Sequence, residues 1–161
     1  MAVLWLEVEP IRIQLVESAH DVATARELFL EYADSLGFSL CFQGFDKEIQ
    51  ELPGAYSPPR GCLLLAEGGA GCIAVRPLTA DICEMKRLYV RPAFRGSGLG
   101  RSLAEAAIAR AGGMGYKAMR LDTLPAMERA IELYRDLGFR EIGPYCVNPL
   151  EGALFFELAE L

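Results

Sequence analysis

With 161 residues, the chain is sized for one domain and is long enough to bury a full core without disulfide or metal staples. Apolar residues make up 52% of it and its formal charge is −6, which argues against a general polyanion-binding surface and so against nucleic acid as a partner. No apolar stretch approaches the roughly 20 residues of a membrane span, so no membrane partner is expected either.

The chain opens on Met1-Ala2-Val3-Leu4-Trp5-Leu6, which is apolar but short, lacks a basic leader and runs into Glu7 and Glu9. A signal peptide has the opposite pattern. Cys41, Cys62, Cys72, Cys83 and Cys146 are odd in number, contain no C-x-x-C pair and mostly sit in apolar runs, so they are read as buried thiols of a reducing compartment. Together these features predict a cytoplasmic protein: one domain over 1–161, with residues 1–10 as an N-terminal extension. Ile11-Arg12-Ile13-Gln14-Leu15-Val16 then alternates apolar and polar, the pattern of a half-buried first strand.

Ser18 to Asp21 offers caps for a helix through Leu36, with Val22, Ala25, Leu28, Phe29, Tyr32 and Leu36 on one stripe and Gly37 as its stop. His20, the only histidine, lies at the start of that helix and is read as a surface or cap residue, which leaves a histidine triad or a zinc site without support. After Phe38 to Phe45, a short acidic helix is expected around Asp46 to Leu52, followed by loop at Pro53-Gly54 and Ser57-Pro58-Pro59. Cys62 to Ala66 and Cys72 to Val75 flank Gly68-Gly69-Ala70-Gly71 as a hairpin.

The rest of the chain is organised around Ile82 to Ala111, where the apolar strand Cys83 to Val90 runs through a basic, glycine-rich turn into a helix. In Arg95-Gly96-Ser97-Gly98-Leu99-Gly100-Arg101 the three glycines alternate, so backbone can approach a ligand unobstructed. The helix that follows begins with N–H groups that lack intrahelical acceptors, and the two arginines flank them: an anion cradle suited to a phosphate or pyrophosphate. Counting from Gly96 and Gly98 puts Arg101 where a dinucleotide fingerprint needs its last glycine or alanine, and no Gly-Lys pair exists for a P-loop. What remains is Arg-x-x-Gly-x-Gly. Downstream, Ala118 to Asp122 is the next strand, joined to the first by a right-handed crossover. A helix with Pro125 in its first turn should bury Ala130, Ile131, Leu133 and Leu137 before Gly138, and short strands near 139–142 and 154–158 finish the sheet.

Arg95-x-x-Gly98-x-Gly100, the strand Glu84-Met85-Lys86-Arg87-Leu88-Tyr89-Val90-Arg91-Pro92 before it and Leu133-Tyr134-Arg135-Asp136-Leu137-Gly138-Phe139 after it resemble the motifs of the GNAT superfamily of N-acetyltransferases, at that family's usual separation and over all but Met1 to Pro10. The resemblance implies an α/β fold: a mixed, twisted central sheet of six to seven strands, splayed at its centre, with helices on both faces. It implies acetyl-coenzyme A as acyl donor, its pyrophosphate on Gly96 to Arg101 and its pantetheine arm along the backbone of Leu88, Tyr89 and Val90, where the central strand splays from its neighbour at Asp122. Tyr134 takes the place of the hydroxyl that protonates the departing thiolate. Met127 stands where the family often has an asparagine that touches the cofactor.

Glu84 lies where some members carry a catalytic base, and period-two alternation puts it on one face with Lys86, Leu88 and Val90; the other reading is a solvated carboxylate or one paired with Lys86. Cys83 has no thiolate-stabilising neighbour and is read as a structural thiol. The acceptor pocket is expected from the first helix, the Phe38 to Phe45 loop and the late strands. Phe38, Phe42 and Phe45 offer an apolar wall, and Glu31, Asp34, Asp46 and Glu48 an attraction for a cation, unless the aromatics are core and the acids a solvated face. The expected activity is acetyl transfer to a primary amine of a small molecule by direct attack in a ternary complex. The alternatives are acetylation of a protein N-terminus or lysine, and a non-enzymatic acyl-coenzyme A sensor. An exposed last strand would suit a homodimer.

Overall fold

The computed structural model describes residues 9–40 and 44–161, so residues 1–8 of the expected extension, Cys41 and Phe42 lie outside the described residues. Strand β1 (Ile13–Leu15) leads into helix α1 (Ala19–Leu36), whose start is fixed by a reciprocal pair: the Asp21 N–H donates to Ser18 Oγ at 3.1 Å and the Ser18 N–H to Asp21 Oδ2 at 3.0 Å. Gly37, at φ 72°, ends it in the left-handed conformation that glycine adopts without strain. Helix α2 (Phe45–Glu51) follows, then the hairpin β2 (Cys62–Ala66) and β3 (Gly71–Pro77), and β4 (Ile82–Val90). Helix α3 (Leu99–Gly113), β5 (Ala118–Thr123), α4 (Glu128–Asp136), β6 (Arg140–Ile142) and β7 (Leu154–Leu158) complete the chain. No helix among the described residues is long and apolar enough to cross a membrane.

The strands form one seven-stranded sheet in the order β1-β2-β3-β4-β5-β7-β6, in which β4 and β5 are the parallel pair. One face packs Leu99, Leu103, Ala104 and Ala107 of α3 and Ile131 and Tyr134 of α4 against Ile73, Cys83, Met85 and Leu121. The opposite face packs Ala25, Leu28 and Phe29 of α1 and Phe45 of α2 against Leu63, Leu65, Ala74 and Tyr89. Helices therefore cover both faces, as the near-continuous apolar runs of β2 and β3 require of strands buried on both sides.

Two features of β4 shape everything that follows. Its pairing with β5 stops at Glu84 opposite Arg120, so the two strands splay and the second edge of β4 from Met85 to Val90 is left without a partner strand. Against β3, Cys72 pairs with Tyr89 but Ala74 with Lys86, which leaves one extra residue in β4, and Arg87 there takes φ 60°. This is a β-bulge, and it shifts the alternation by one. The expectation that Glu84 and Lys86 share a face with Leu88 and Val90 is corrected: Leu88 and Val90 pack with Cys83 and Met85 on the α3 side, while Tyr89 packs on the α1 side.

Three smaller readings also change. The last strand, β7, is not an exposed edge, because it inserts between β5 and β6 and pairs with both; the edges are β1 and β6. Pro125 precedes α4 rather than opening it, since a turn closed by the Met127 N–H on the Leu124 carbonyl at 2.9 Å comes first. Cys62, Cys72 and Cys83 are buried, whereas Cys146 is exposed.

Candidate active site

An outer cleft of about 690 Å³ runs past the end of β4, between α1 and α4, and reaches the glycine turn. Leu88, Tyr89, Val90, Arg95, Gly96, Gly98, Leu99 and Gly100 line one wall, and Met127, Arg129 and Ala130 the other. Gly96 and Gly98 have φ of 81° and 83°, where an L side chain is strained, and a Cβ on either would meet open space. Gly100 has no such need: its Cβ would lie 3.8 Å from Val90 Cγ2, an ordinary contact. Gly98 caps α3 without a side chain, and the first donor returned to it is the Ser102 N–H at 3.1 Å, so the N–H groups of Leu99, Gly100 and Arg101 remain available to an anion.

Deeper in, an inner chamber of about 90 Å³ fills the gap where β4 and β5 splay. It shares Tyr32, Leu88, Met127 and Ala130 with the outer cleft, so the two are contiguous. It is lined by Tyr134 of α4, by Phe38, and by Lys86, Arg87, Asp122 and Asn148. Tyr134 is buried, and among the described residues its hydroxyl has no hydrogen-bond partner; burial, then the neighbouring Tyr32 and Asp122, raises its phenol above the ordinary value, so it stays protonated at neutral pH.

A row of polar and charged side chains reaches the chamber at Lys86, Asp122 and Asn148 and continues behind it to Glu84 and Arg76. Arg76 donates to Glu84 Oε1 from Nε at 2.8 Å, Lys86 Nζ lies 3.9 Å from that same oxygen and 3.7 Å from Asp122 Oδ1, and Asn148 Nδ2 donates to Asp122 Oδ2 at 3.1 Å. The loop between β6 and β7 closes over this row, because Tyr145 also donates its hydroxyl to Glu84 Oε2 at 2.7 Å. Beside it, Arg87 donates from Nε to Glu48 Oε2 at 2.8 Å and from Nη2 to Oε1 at 3.1 Å, so this pair brings no net charge.

The structure places Tyr134 and Met127 at the chamber and Leu88 to Val90 along the cleft. Met127 comes with a changed role, its sulfur accepting from Thr123 Oγ1 at 3.4 Å and supplying no amide donor. Ser97 and Arg101 are turned elsewhere: the Ser97 hydroxyl donates to the Phe94 carbonyl at 2.6 Å, and Arg101 Nη2 pairs with Asp136 at 3.1 Å. Glu84 is 1% exposed and bound to Arg76 and Tyr145, and it does not line the chamber. Of the expected acceptor wall, Phe38 is in place and Phe45 is core. The expected acids are elsewhere: Glu31 pairs with Arg91, Glu48 with Arg87, and Asp34 and Asp46 are exposed.

Sequence reasoning missed Arg129 in the cleft and Lys86, Asp122 and Asn148 as a group. The splay at Asp122 was the one signal available, since a polar residue at a strand's open edge faces a gap and not a neighbour.

A model of the GNAT family of acetyltransferases matches residues 24–139. An uncharacterized N-acetyltransferase of Schizosaccharomyces pombe is 39% identical over 153 residues, covering 92% of this chain and 94% of that protein. Among solved structures, an acetyltransferase of Streptococcus agalactiae superposes with a TM-score of 0.75 at 20% identity, covering 91% of this chain and 96% of that one. A Bacillus subtilis acetyltransferase in complex with CoA superposes with a TM-score of 0.69 at 21% identity, covering 94% and 100%.

Proposed function

The chain belongs to the GNAT family of acetyltransferases, and from that membership we propose that it transfers an acetyl group from acetyl-coenzyme A to a primary amine of a small molecule, by direct attack in a ternary complex. The observation that carries this reading is the pairing of a proton acceptor and a proton donor, Asp122 and Tyr134, in one chamber contiguous with a cleft that ends in free helix N–H groups. Bound acetyl-coenzyme A supplies the activated acetyl group. The B. subtilis protein of the same fold holds CoA.

The residues divide the work by position. The N–H groups at Leu99 to Arg101 hold the pyrophosphate, with Arg95 and Arg129 close by, and the open edge of β4 at Leu88 to Val90 pairs with the pantetheine amides. Asp122, and not the sealed Glu84, takes the proton of the incoming ammonium so that a neutral amine attacks. Tyr134 gives its proton to the departing thiolate. A covalent route through Cys83 lacks support, because burial pushes its thiol up to about 12 and it does not line the chamber. The loop fastened over the chamber by Tyr145 and Asn148, and the narrowness of the chamber, favour a small amine over a polypeptide, which needs an open groove.

The test is release of the coenzyme A thiol from acetyl-coenzyme A with a panel of small primary amines, alongside peptides carrying a free N-terminus or a lysine. Turnover with small amines, lowered about 10²- to 10⁴-fold by Tyr134→Phe with cofactor affinity retained, is the expected result. Turnover with the peptides alone would overturn the acceptor assignment. Tight acetyl-coenzyme A binding with no turnover on any amine would make the chain a binding module.

A further inference from the structure

Lys86 is an ammonium with 6% side-chain exposure that faces a reaction chamber, and its surroundings explain its presence. It sits between Glu84 Oε1 at 3.9 Å and Asp122 Oδ1 at 3.7 Å, side chains exposed by only 2% and 8%. The two carboxylates are not equivalent. Glu84 has its own cation, with Arg76 Nη2 at 2.7 Å on the same oxygen, whereas the ion pair that Asp122 makes is with Lys86. Each carboxylate turns its other oxygen to the β6–β7 loop, Glu84 to the Tyr145 hydroxyl and Asp122 to the Asn148 amide.

We infer that Lys86 is a positioning residue for acyl transfer, whose charge keeps the Asp122 carboxylate ionised and aimed into the chamber as proton acceptor. The inference rests on the reading of Asp122 as the base and adds to it the group on which that base depends. A carboxylate in a desolvated site takes up a proton unless a cation faces it, and a cation within about 4–6 Å holds it ionised. Dependence is mutual: burial pushes the Lys86 ammonium below its ordinary value, and Glu84 and Asp122 oppose that push.

Among the described residues no other charge near Asp122 substitutes for Lys86; Arg120, two residues back on β5, is bound by Glu157 of β7 at 2.6 Å. From α1 comes Tyr32, from α4 Tyr134, and from the β6–β7 loop Tyr145 and Cys146, all held in their neutral forms chiefly by burial. Arg87, next on β4, is bound by Glu48 of α2, and Arg76 of β3 is bound by Glu84. The row thus holds two cations for two carboxylates, with Arg76 on Glu84 and Lys86 shared between Glu84 and the catalytic Asp122.

The test follows the carboxyl carbon of Asp122 by NMR in the full chain labelled with [13C]aspartate, the resonance being assigned by Asp122→Asn, from pH 3 to pH 9. Lys86→Met and Lys86→Gln both remove the charge, so a folding failure in one leaves the other, and Lys86→Arg restores it. The expected result is a titration midpoint about one to three pH units higher than wild type in the charge-removing variants and near wild type in Lys86→Arg. With the amine that turns over best, the acid limb of kcat/KM moves with the NMR midpoint. A midpoint unmoved by loss of the charge, or moved as far by Lys86→Arg, would overturn the inference. Full turnover in Asp122→Asn with the NMR shift intact would instead remove the base assignment and leave the Lys86 coupling standing.

Discussion

Two arginines near the outer cleft are expected to contribute unequally to cofactor binding. Arg129, in the first turn of α4, lines the cleft and has no ion pair among the described residues. Arg101, which the sequence assigns to the cofactor, is held by Asp136 at 3.1 Å with Glu105 at 3.9 Å. A guanidinium that bonds a phosphate contributes about 1.5–3 kcal/mol, so Arg129→Ala should weaken acetyl-coenzyme A binding about 10- to 150-fold. Arg101 must first leave an exposed pair worth about 0–1 kcal/mol, and its side chain starts outside the cleft. Its replacement by alanine should weaken binding less than about fivefold, the part owed to lost positive potential. Isothermal titration with acetyl-coenzyme A measures both. Acetyl-pantetheine, which lacks the diphosphate and the adenosine, is the control that neither variant should affect. A larger loss in Arg101→Ala than in Arg129→Ala would refute the reasoning, because it would mean that Arg101 exchanges Asp136 for the phosphate on binding.

Other outcomes follow from single distances. A Cβ on Gly71 would lie 2.6 Å from the Tyr89 carbonyl oxygen and 3.1 Å from Leu103 Cδ1, so Gly71→Ala should destabilise the fold by about 1–3 kcal/mol and lower Tm by about 2–4 °C per kcal/mol; an unchanged melt would refute the close approach. Asp122→Asn should lower kcat/KM about 10²- to 10⁴-fold with acetyl-coenzyme A affinity unchanged. Glu84→Gln should show instead in urea melts, as a loss of about 3–5 kcal/mol, because Arg76 and Lys86 lose their shared carboxylate; equal stability to wild type would count against the buried row. Burial raises the phenols of Tyr56 and Tyr134 above their ordinary value, so the folded chain binds more protons than the unfolded one above about pH 10. Stability from these groups is complete below that pH and falls by about 1.4 kcal/mol per pH unit for each above it, which urea melts at pH 9 and 10.5 resolve.

What the sequence made legible were features set within a few residues of one another. Ser18 and Asp21 announce the start of α1, and Gly96 and Gly98 announce a turn with positive φ, because in each case the cause lies in the local backbone. The order of strands and helices was readable for the same reason. The bulge was not, since nothing in the letters around Arg87 marks it as the residue that leaves the ladder, and that single step moved Leu88 and Val90 away from the face of Glu84. The role of Glu84 was hidden by distance along the chain: Tyr145, 61 residues on, seals it, and Asn148, 26 residues beyond Asp122, completes the group that the chamber uses. The position of β7 between β5 and β6 likewise depends on which edge a late strand chooses, and the strand's own pattern is the same at either place.

The extra residue in β4 makes Arg87 a position at which this strand can shorten without changing its register. Deleting Arg87 would give β3 and β4 an uninterrupted ladder and relieve a side chain held at φ 60°. It would also leave Leu88 opposite Ile73, keep Leu88 and Val90 on the α3 side and Tyr89 on the α1 side, and remove the guanidinium that Glu48 holds. In a library of variants of this segment, loss of the Arg87 codon should keep the sheet and cost stability through the lost Glu48 pair, whereas a one-codon insertion just ahead of Leu88 should be lost, since it would turn Leu88 and Val90 away from α3.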